Sequence, residues 1–109
     1  MRINNSGDHR IFARIRRALP IRILAAGQDE ECKAETVDIS AHGIGIESNK
    51  KLSPNIRLEM WLELPGNLGP FYTRGEVVWS QASAAKDKLR VGIRLEKAEL
   101  MGLAPILWS

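Results

Sequence analysis

The sequence contains a single cysteine, Cys32, which excludes a disulfide bond within the chain. Histidine is also scarce, and His9 and His42 do not form a Cys/His cluster with the spacing of a metal site. No apolar run is long enough to cross a membrane, and no signal peptide is recognisable. We therefore expect a cytoplasmic protein that has no membrane span, no bound metal and no cofactor.

Catalytic combinations of residues are missing as well. A nucleophile, a base and an orienting group cannot be assembled from the residue types present at plausible spacing. We predict that the protein is not an enzyme and has no catalytic residues.

Positive charge is concentrated near the amino end. The chain has 109 residues, of which 44% are hydrophobic, and this fits one globular domain. Its first 24 residues carry a net charge of +5, whereas the remainder carries −2. Every basic residue in that first segment is arginine, whose planar guanidinium suits phosphate oxygens and guanine edges. The distribution predicts an anionic partner that binds at one place.

Short stretches of alternating apolar and polar residues dominate the chain after Leu19. The clearest of them runs from Arg57 to Leu64, and turn-forming residues separate it from its neighbours. The predicted strands cover residues 21–23, 33–40, 44–46, 57–64, 71–80 and 88–95. Several short strands with turn chemistry between them predict an all-β fold, a small antiparallel barrel.

The two ends of the chain differ from this pattern. Residues 1–18 are predicted to form a flexible basic arm, and residues 19–109 the barrel and a C-terminal helix. From Glu96 onward, helical spacing predicts one short amphipathic helix, whose second half contains Pro105. Its apolar positions are Leu100, Leu103, Ala104 and Leu107.

Two short motifs carry the candidate chemistry. Arg10 and Arg14 are four residues apart, so their guanidinium groups lie on one side of a helical turn or on one face of an extended segment. Such a pair could hold a phosphate or a guanine between two forks. By itself, an Arg-x-x-x-Arg spacing also fits surface arginines that are paired with acids.

The second motif is Asp38-x-Ser40-x-x-Gly43. Alternation predicts that Val37 and Ile39 point inward and that Thr36, Asp38 and Ser40 lie together on the other face, with Gly43 ending the strand. Glycine would let a flat base approach the backbone, and Ser40 could give or accept a hydrogen bond. Asp38 could accept from guanine or hold an arginine fork. A hairpin with an Asx or Ser turn is the structural alternative.

The two motifs together resemble the PilZ domain family of bacterial cyclic di-GMP receptors. The resemblance extends over roughly residues 9–107 and includes segments outside the motifs. These segments are Leu19-Pro20-Ile21, Gly75-Glu76-Val77-Val78-Trp79 and Arg90-Val91-Gly92-Ile93-Arg94-Leu95.

The resemblance implies a six-stranded antiparallel β-barrel, the PilZ split barrel, with a short C-terminal α-helix. It also implies cyclic di-GMP as the ligand. We expect the basic N-terminal arm to become ordered on the bound dinucleotide, and the reshaped surface to signal to a protein partner or to another domain. Carried over by position, Arg10 and Arg14 would engage guanine and phosphate, and Asp38, Ser40 and Gly43 would seat a guanine. Trp79 lies where some members place an aromatic near the ligand, and a core tryptophan is the alternative.

Other interpretations remain open at this point. A small barrel with a positive groove and exposed aromatics could bind single-stranded nucleic acid. A PilZ-like adaptor could act through protein contacts without binding nucleotide. His9 stands where many relatives have an arginine that is associated with binding of one nucleotide or of a stacked pair, so both stoichiometries are open. The oligomeric state and the regulated process are not predicted.

Overall fold

Seven strands account for most of the computed structural model, which describes residues 14–107. They are β1 (Ile15–Arg16), β2 (Pro20–Ala25), β3 (Cys32–Ile39), β4 (Gly43–Ser48), β5 (Arg57–Glu63), β6 (Pro70–Ala82) and β7 (Leu89–Leu95). All neighbouring strands are antiparallel, in the order β1-β3-β2-β5-β6-β7-β4, and β4 also pairs with β3. The β3–β4 pairing closes six strands into a barrel, as predicted, and leaves β1 outside it.

Strand β1 continues the line of β2 along β3. Strand β2 begins at Pro20, which pairs with Glu35 of β3. Beyond Glu35, β2 no longer pairs with this edge of β3. There Arg16 pairs with Asp38. This short strand lies in the segment that the sequence assigned to a flexible arm. The division of the chain at residue 18 stays a prediction.

Aliphatic side chains fill the barrel. The alternation predicted for β5 is confirmed, because Leu58, Met60 and Leu62 are all buried, and β4 likewise points Ile44 and Ile46 inward. Burial of this apolar surface is the main term that stabilises the barrel, at about 1.5–3 kcal/mol for each large side chain. The packed core therefore supports the barrel wall, on whose outer face the functional groups lie.

A β-bulge interrupts the predicted alternation of β3. The register with β4 shifts between Thr36 and Asp38, so one additional residue, Val37, stands in β3. Thr36 is therefore buried, and the prediction that it shares the outer face with Asp38 is wrong. Its hydroxyl donates to the carbonyl of Arg17 at 2.6 Å and accepts from the N–H of Leu19 at 2.8 Å.

The C-terminal segment forms a 3-10 helix, Glu99–Leu103, followed by a four-residue α-helix, α1 (Ala104–Leu107). The predicted helix is thus present but begins three residues later than Glu96. Pro105 stands in the first turn of α1, where its missing N–H has no intrahelical partner to lose. Leu100 and Leu107 are buried against the barrel, and Arg17 donates from Nη1 to the carbonyl of Leu107 at 2.8 Å.

Candidate functional site

A cleft of about 230 Å³ lies on the outer face of the barrel, where β4 and β7 run side by side. We call it the Arg14–Trp79 cleft. It is lined by Arg14, Ser40, His42, Gly43, Ile44, Val78, Trp79, Gly92, Ile93 and Arg94. Four of the six predicted site residues therefore line one cleft, although they come from distant parts of the chain.

Arg14 is held at the cleft by Asp38. Its Nη1 donates to Oδ1 of Asp38 at 2.7 Å, a short charge-assisted bond. The arginine side chain is 61% exposed and the aspartate 20%, so the pair is worth only about 0–1 kcal/mol to stability. Asp38 thus holds an arginine fork, one of the two roles that the sequence left open, and the pairing of Arg16 with Asp38 fixes the backbone beside it.

A glycine makes room for the Asp38 carboxylate. Gly45 of β4 pairs with Asp38, and a Cβ on that glycine would lie 2.6 Å from Oδ1 of the aspartate. The carboxylate therefore lies directly against the strand backbone. The bulge at Val37 turns Asp38 to the outer face, which is consistent with the frequent placement of bulges where a side chain must be aimed.

Ser40 and Gly43 form the tight turn between β3 and β4. The N–H of Ser40 donates to the carbonyl of Gly43 at 2.9 Å, and its hydroxyl donates to the same oxygen at 3.2 Å. Because the one hydroxyl hydrogen is used, Oγ faces the cleft as an acceptor. Gly43 begins β4 and does not end the preceding strand, and its Cβ would lie 2.9 Å from the carbonyl oxygen of Ile93.

Trp79 forms another wall of the cleft. A second bulge, at Val78, shifts the register of β6 against β7 so that Trp79 faces outward opposite Gly92. The indole is 41% exposed, which excludes the alternative that Trp79 is a core tryptophan. An exposed indole beside guanidinium groups offers a flat surface on which a purine can stack.

Arg94 is a cleft residue that the motifs did not indicate. It pairs with Gly43 across β4 and β7, and its side chain is 68% exposed. Alternation along β7 does place Arg94 on the outer face, but its neighbourhood depends on a pairing between strands that are distant in sequence. The sequence therefore indicated which face of the barrel Arg94 occupies, but not which residues it lies beside.

The remaining expectations concern residues at or beyond the edge of the cleft. Arg10 lies outside the described residues, and its predicted convergence with Arg14 stays a prediction. His42 lines the cleft and is exposed. Between residues 14 and 107, no three His, Cys, Asp or Glu side chains are grouped so that they could hold a metal ion. No helix within that range is long and apolar enough to span a membrane.

The family model described as PilZ domain matches residues 8–101. Among solved structures, the fold is similar to the PilZ domain with c-di-GMP of YcgR from Escherichia coli, with a TM-score of 0.67 and 12% identity over 88% of this chain and 86% of that one. It is also similar to the PilZ domain of CeSA from a cellulose synthesizing bacterium, with a TM-score of 0.57 and 14% identity over 88% and 95%.

A third similar structure is the inhibitor of motility MotI/DgrA from Bacillus subtilis. The TM-score is 0.67 and the identity 17%, over 87% of this chain and 46% of that one, so the chain spans about half the length of MotI. No curated protein matches the sequence significantly. At these identities the structural likeness concerns the fold, and the family match rests on the sequence.

Proposed function

Because the chain belongs to the PilZ domain family, we propose that it is a receptor for cyclic di-GMP and binds this dinucleotide in the Arg14–Trp79 cleft. The similarity in fold to the PilZ domain of YcgR, solved with c-di-GMP, supports this choice of ligand. The observation that carries the proposal is that Arg14, Ser40, Gly43 and Trp79 line one cleft, with Asp38 bonded to Arg14 beside it.

The cleft offers the two kinds of contact that the ligand requires. Cyclic di-GMP has two phosphodiester charges and two guanines, so it needs cations for the former and hydrogen-bonding and stacking groups for the latter. In the proposal, Asp38 and Ser40 accept from the N–H groups of a guanine that lies against the glycine backbone of Gly43. Trp79 stacks on the purine ring.

Arg14 can serve the ligand without leaving Asp38. A guanidinium has five N–H donors in a fixed fork, and only Nη1 is bonded to the aspartate. The ion pair is also largely exposed, so its rearrangement costs about 1 kcal/mol or less. In the proposal, Asp38 orients Arg14 while the other donors reach a phosphate or a guanine edge.

The proposal extends to the residues before Arg14. Arg10 supplies a second guanidinium when the N-terminal segment closes over the dinucleotide and becomes ordered on it. A protein partner or another domain then recognises the surface that is formed in this way. The protein acts as a binding module without catalysis of its own.

Calorimetric titration with cyclic di-GMP tests the proposal, with linear pGpG, GTP and a short single-stranded RNA as competitors. We expect Arg14→Ala to weaken binding about tenfold or more, because charge-assisted hydrogen bonds contribute about 1.5–3 kcal/mol. Ser40→Ala removes a neutral contact worth about 0.5–1.5 kcal/mol and should weaken binding less.

Arg74→Ala is the matched control, because Arg74 is 54% exposed and paired with a glutamate but does not line the cleft. Wild-type protein that ignores cyclic di-GMP would overturn the proposal and favour the adaptor that does not bind nucleotide. RNA that binds as well as the cyclic dinucleotide, with a steep salt dependence, would favour the nucleic-acid-binding barrel. Equal affinities of the Arg14 and Arg74 variants would remove Arg14 from the site.

A further inference from the structure

A row of charged side chains crosses the outer face of the barrel and ends in the Arg14–Trp79 cleft. Arg57 of β5 pairs with Glu76 of β6, Glu76 pairs with Arg94 of β7, and Arg94 pairs with Gly43 of β4. Cross-strand pairs of this kind place side chains of one face next to each other. Glu76 therefore stands between two arginines, only one of which lines the cleft.

Arg94 is bound weakly in this row. Its Nη2 lies 3.4 Å from Oε1 of Glu76, and the two side chains are 68% and 34% exposed. An exposed pair at this distance is easily exchanged for another anion. By contrast, the Nη1 of Arg14 lies 2.7 Å from Asp38. An anionic ligand can therefore displace the carboxylate partner of Arg94 more easily than that of Arg14.

The strand that carries the partner of Arg14 and the strand that carries Arg94 flank β4. Asp38, which holds Arg14, belongs to β3, and Arg94 belongs to β7, with Gly43 of β4 paired to Arg94. Near Asp38 a carboxylate favours the N–H groups of a guanine and repels phosphate. Neither carboxylate partner, Asp38 or Glu76, lines the cleft, and on its β7 side the cleft presents Arg94, whose partner Glu76 is at the longer distance.

We propose that Arg94 binds a phosphodiester group of the ligand and that Glu76 sets the affinity by competing for the same guanidinium. This inference rests on the proposed function and assigns two residues to it, one as a ligand contact and one as a positioning residue. When the phosphodiester occupies Arg94, Glu76 is released toward Arg57, so occupancy of the cleft changes the charge pattern in the neighbouring groove formed by Arg57, Glu76, Arg94, Leu95 and Glu96.

The chain contains a matched control pair. Arg74 and Glu96 form an exposed ion pair with an N to O distance of 3.2 Å and side-chain exposures of 54% and 40%, and neither residue lines the cleft. Substitutions at the two pairs change the net charge identically. A difference between them therefore reports on position and not on the overall field of the protein.

The experiment is calorimetric titration of cyclic di-GMP at low and high salt into wild-type protein and four variants, Arg94→Ala, Glu76→Gln, Arg74→Ala and Glu96→Gln. We expect Arg94→Ala to weaken binding about tenfold and to reduce its salt dependence, because one phosphate contact is lost. Glu76→Gln should tighten binding about threefold, and both control variants should stay within about twofold of wild type. Unchanged thermal transitions will show that the exposed substitutions leave the fold intact.

A double-mutant cycle separates competition from a general charge effect. If Glu76 acts through Arg94, the Glu76→Gln change has no effect in the Arg94→Ala background. The inference is overturned if Arg94→Ala behaves like Arg74→Ala, or if Glu76→Gln tightens binding equally with and without Arg94. In either case, wild-type binding that is lost with Arg14→Ala leaves the proposed function standing. Wild-type protein that does not bind cyclic di-GMP overturns both.

Discussion

The indole of Trp79 lies directly on the backbone of Gly92. A Cβ on that glycine would come closer than 3.0 Å to the Cε2 and Nε1 atoms of the indole, a separation that real Cβ atoms essentially never show. Gly92 is paired in turn with Gly45, which makes the same room for Asp38. Two neighbouring glycines on adjacent strands therefore let an indole and a carboxylate lie flat on the barrel wall at the candidate site.

Gly92→Ala should displace Trp79 from the cleft. The new methyl group overlaps the indole, so the ring must move, at a cost of about 1–3 kcal/mol in the free energy of unfolding. We expect a change in tryptophan fluorescence, a lower midpoint of denaturant unfolding and weaker binding of cyclic di-GMP. Gly102→Ala is the control, because a Cβ there meets nothing within 4 Å. Identical fluorescence and stability of the two variants would contradict the placement of Trp79 on Gly92.

Thr36→Val should destabilise the fold although the shapes of the two side chains are nearly the same. The substitution removes the hydroxyl that bonds the carbonyl of Arg17 and the N–H of Leu19, at a buried position. Loss of a buried partner costs about 1–3 kcal/mol, which denaturant unfolding will measure. Thr36→Ser retains both hydrogen bonds and should cost only about 0.8 kcal/mol for the lost methyl group. A valine variant as stable as wild type would rule out this role.

The single tyrosine gives a pH-dependent prediction. A hydrogen bond from the Tyr72 hydroxyl to Glu59, 2.6 Å long, raises the pKa of Tyr72, and the negative charge of Glu59 acts in the same direction. Both favour the neutral phenol, so phenolate forms at higher pH than in a free tyrosine. We expect Glu59→Gln to shift the ultraviolet titration of the phenol to lower pH. Glu63→Gln, on the same face of β5, should leave the titration unchanged, and equal shifts in both variants would contradict the assignment.

Local alternation predicted the inward face of the strands, because every second residue of a strand faces the same side. It placed Leu58, Met60 and Leu62 in the core correctly. It was wrong for Thr36, because a bulge adds one residue to β3 and exchanges the faces. No residue preference at Val37 signals that bulge, since threonine and valine are both ordinary strand residues.

The candidate site was predictable only in part for a related reason. Short motifs identified Arg14, Asp38 and Ser40 because their spacing along the chain is fixed. Arg94 was not indicated, because its position beside Gly43 depends on which strands become neighbours when the barrel closes. The orientation of Trp79 likewise depends on the bulge at Val78.

The attachment of β1 to β3 determines where the arginine motif stands. Both β1 and β2 pair with β3, through Arg16 and Pro20, so only three residues connect two points that are fixed on the same strand. The number of connecting residues therefore fixes where β1, and with it the backbone beside Arg14, lies along β3 relative to the turn at Ser40. In this molecule the reach of Arg14 is a matter of chain length, counted outward from the barrel.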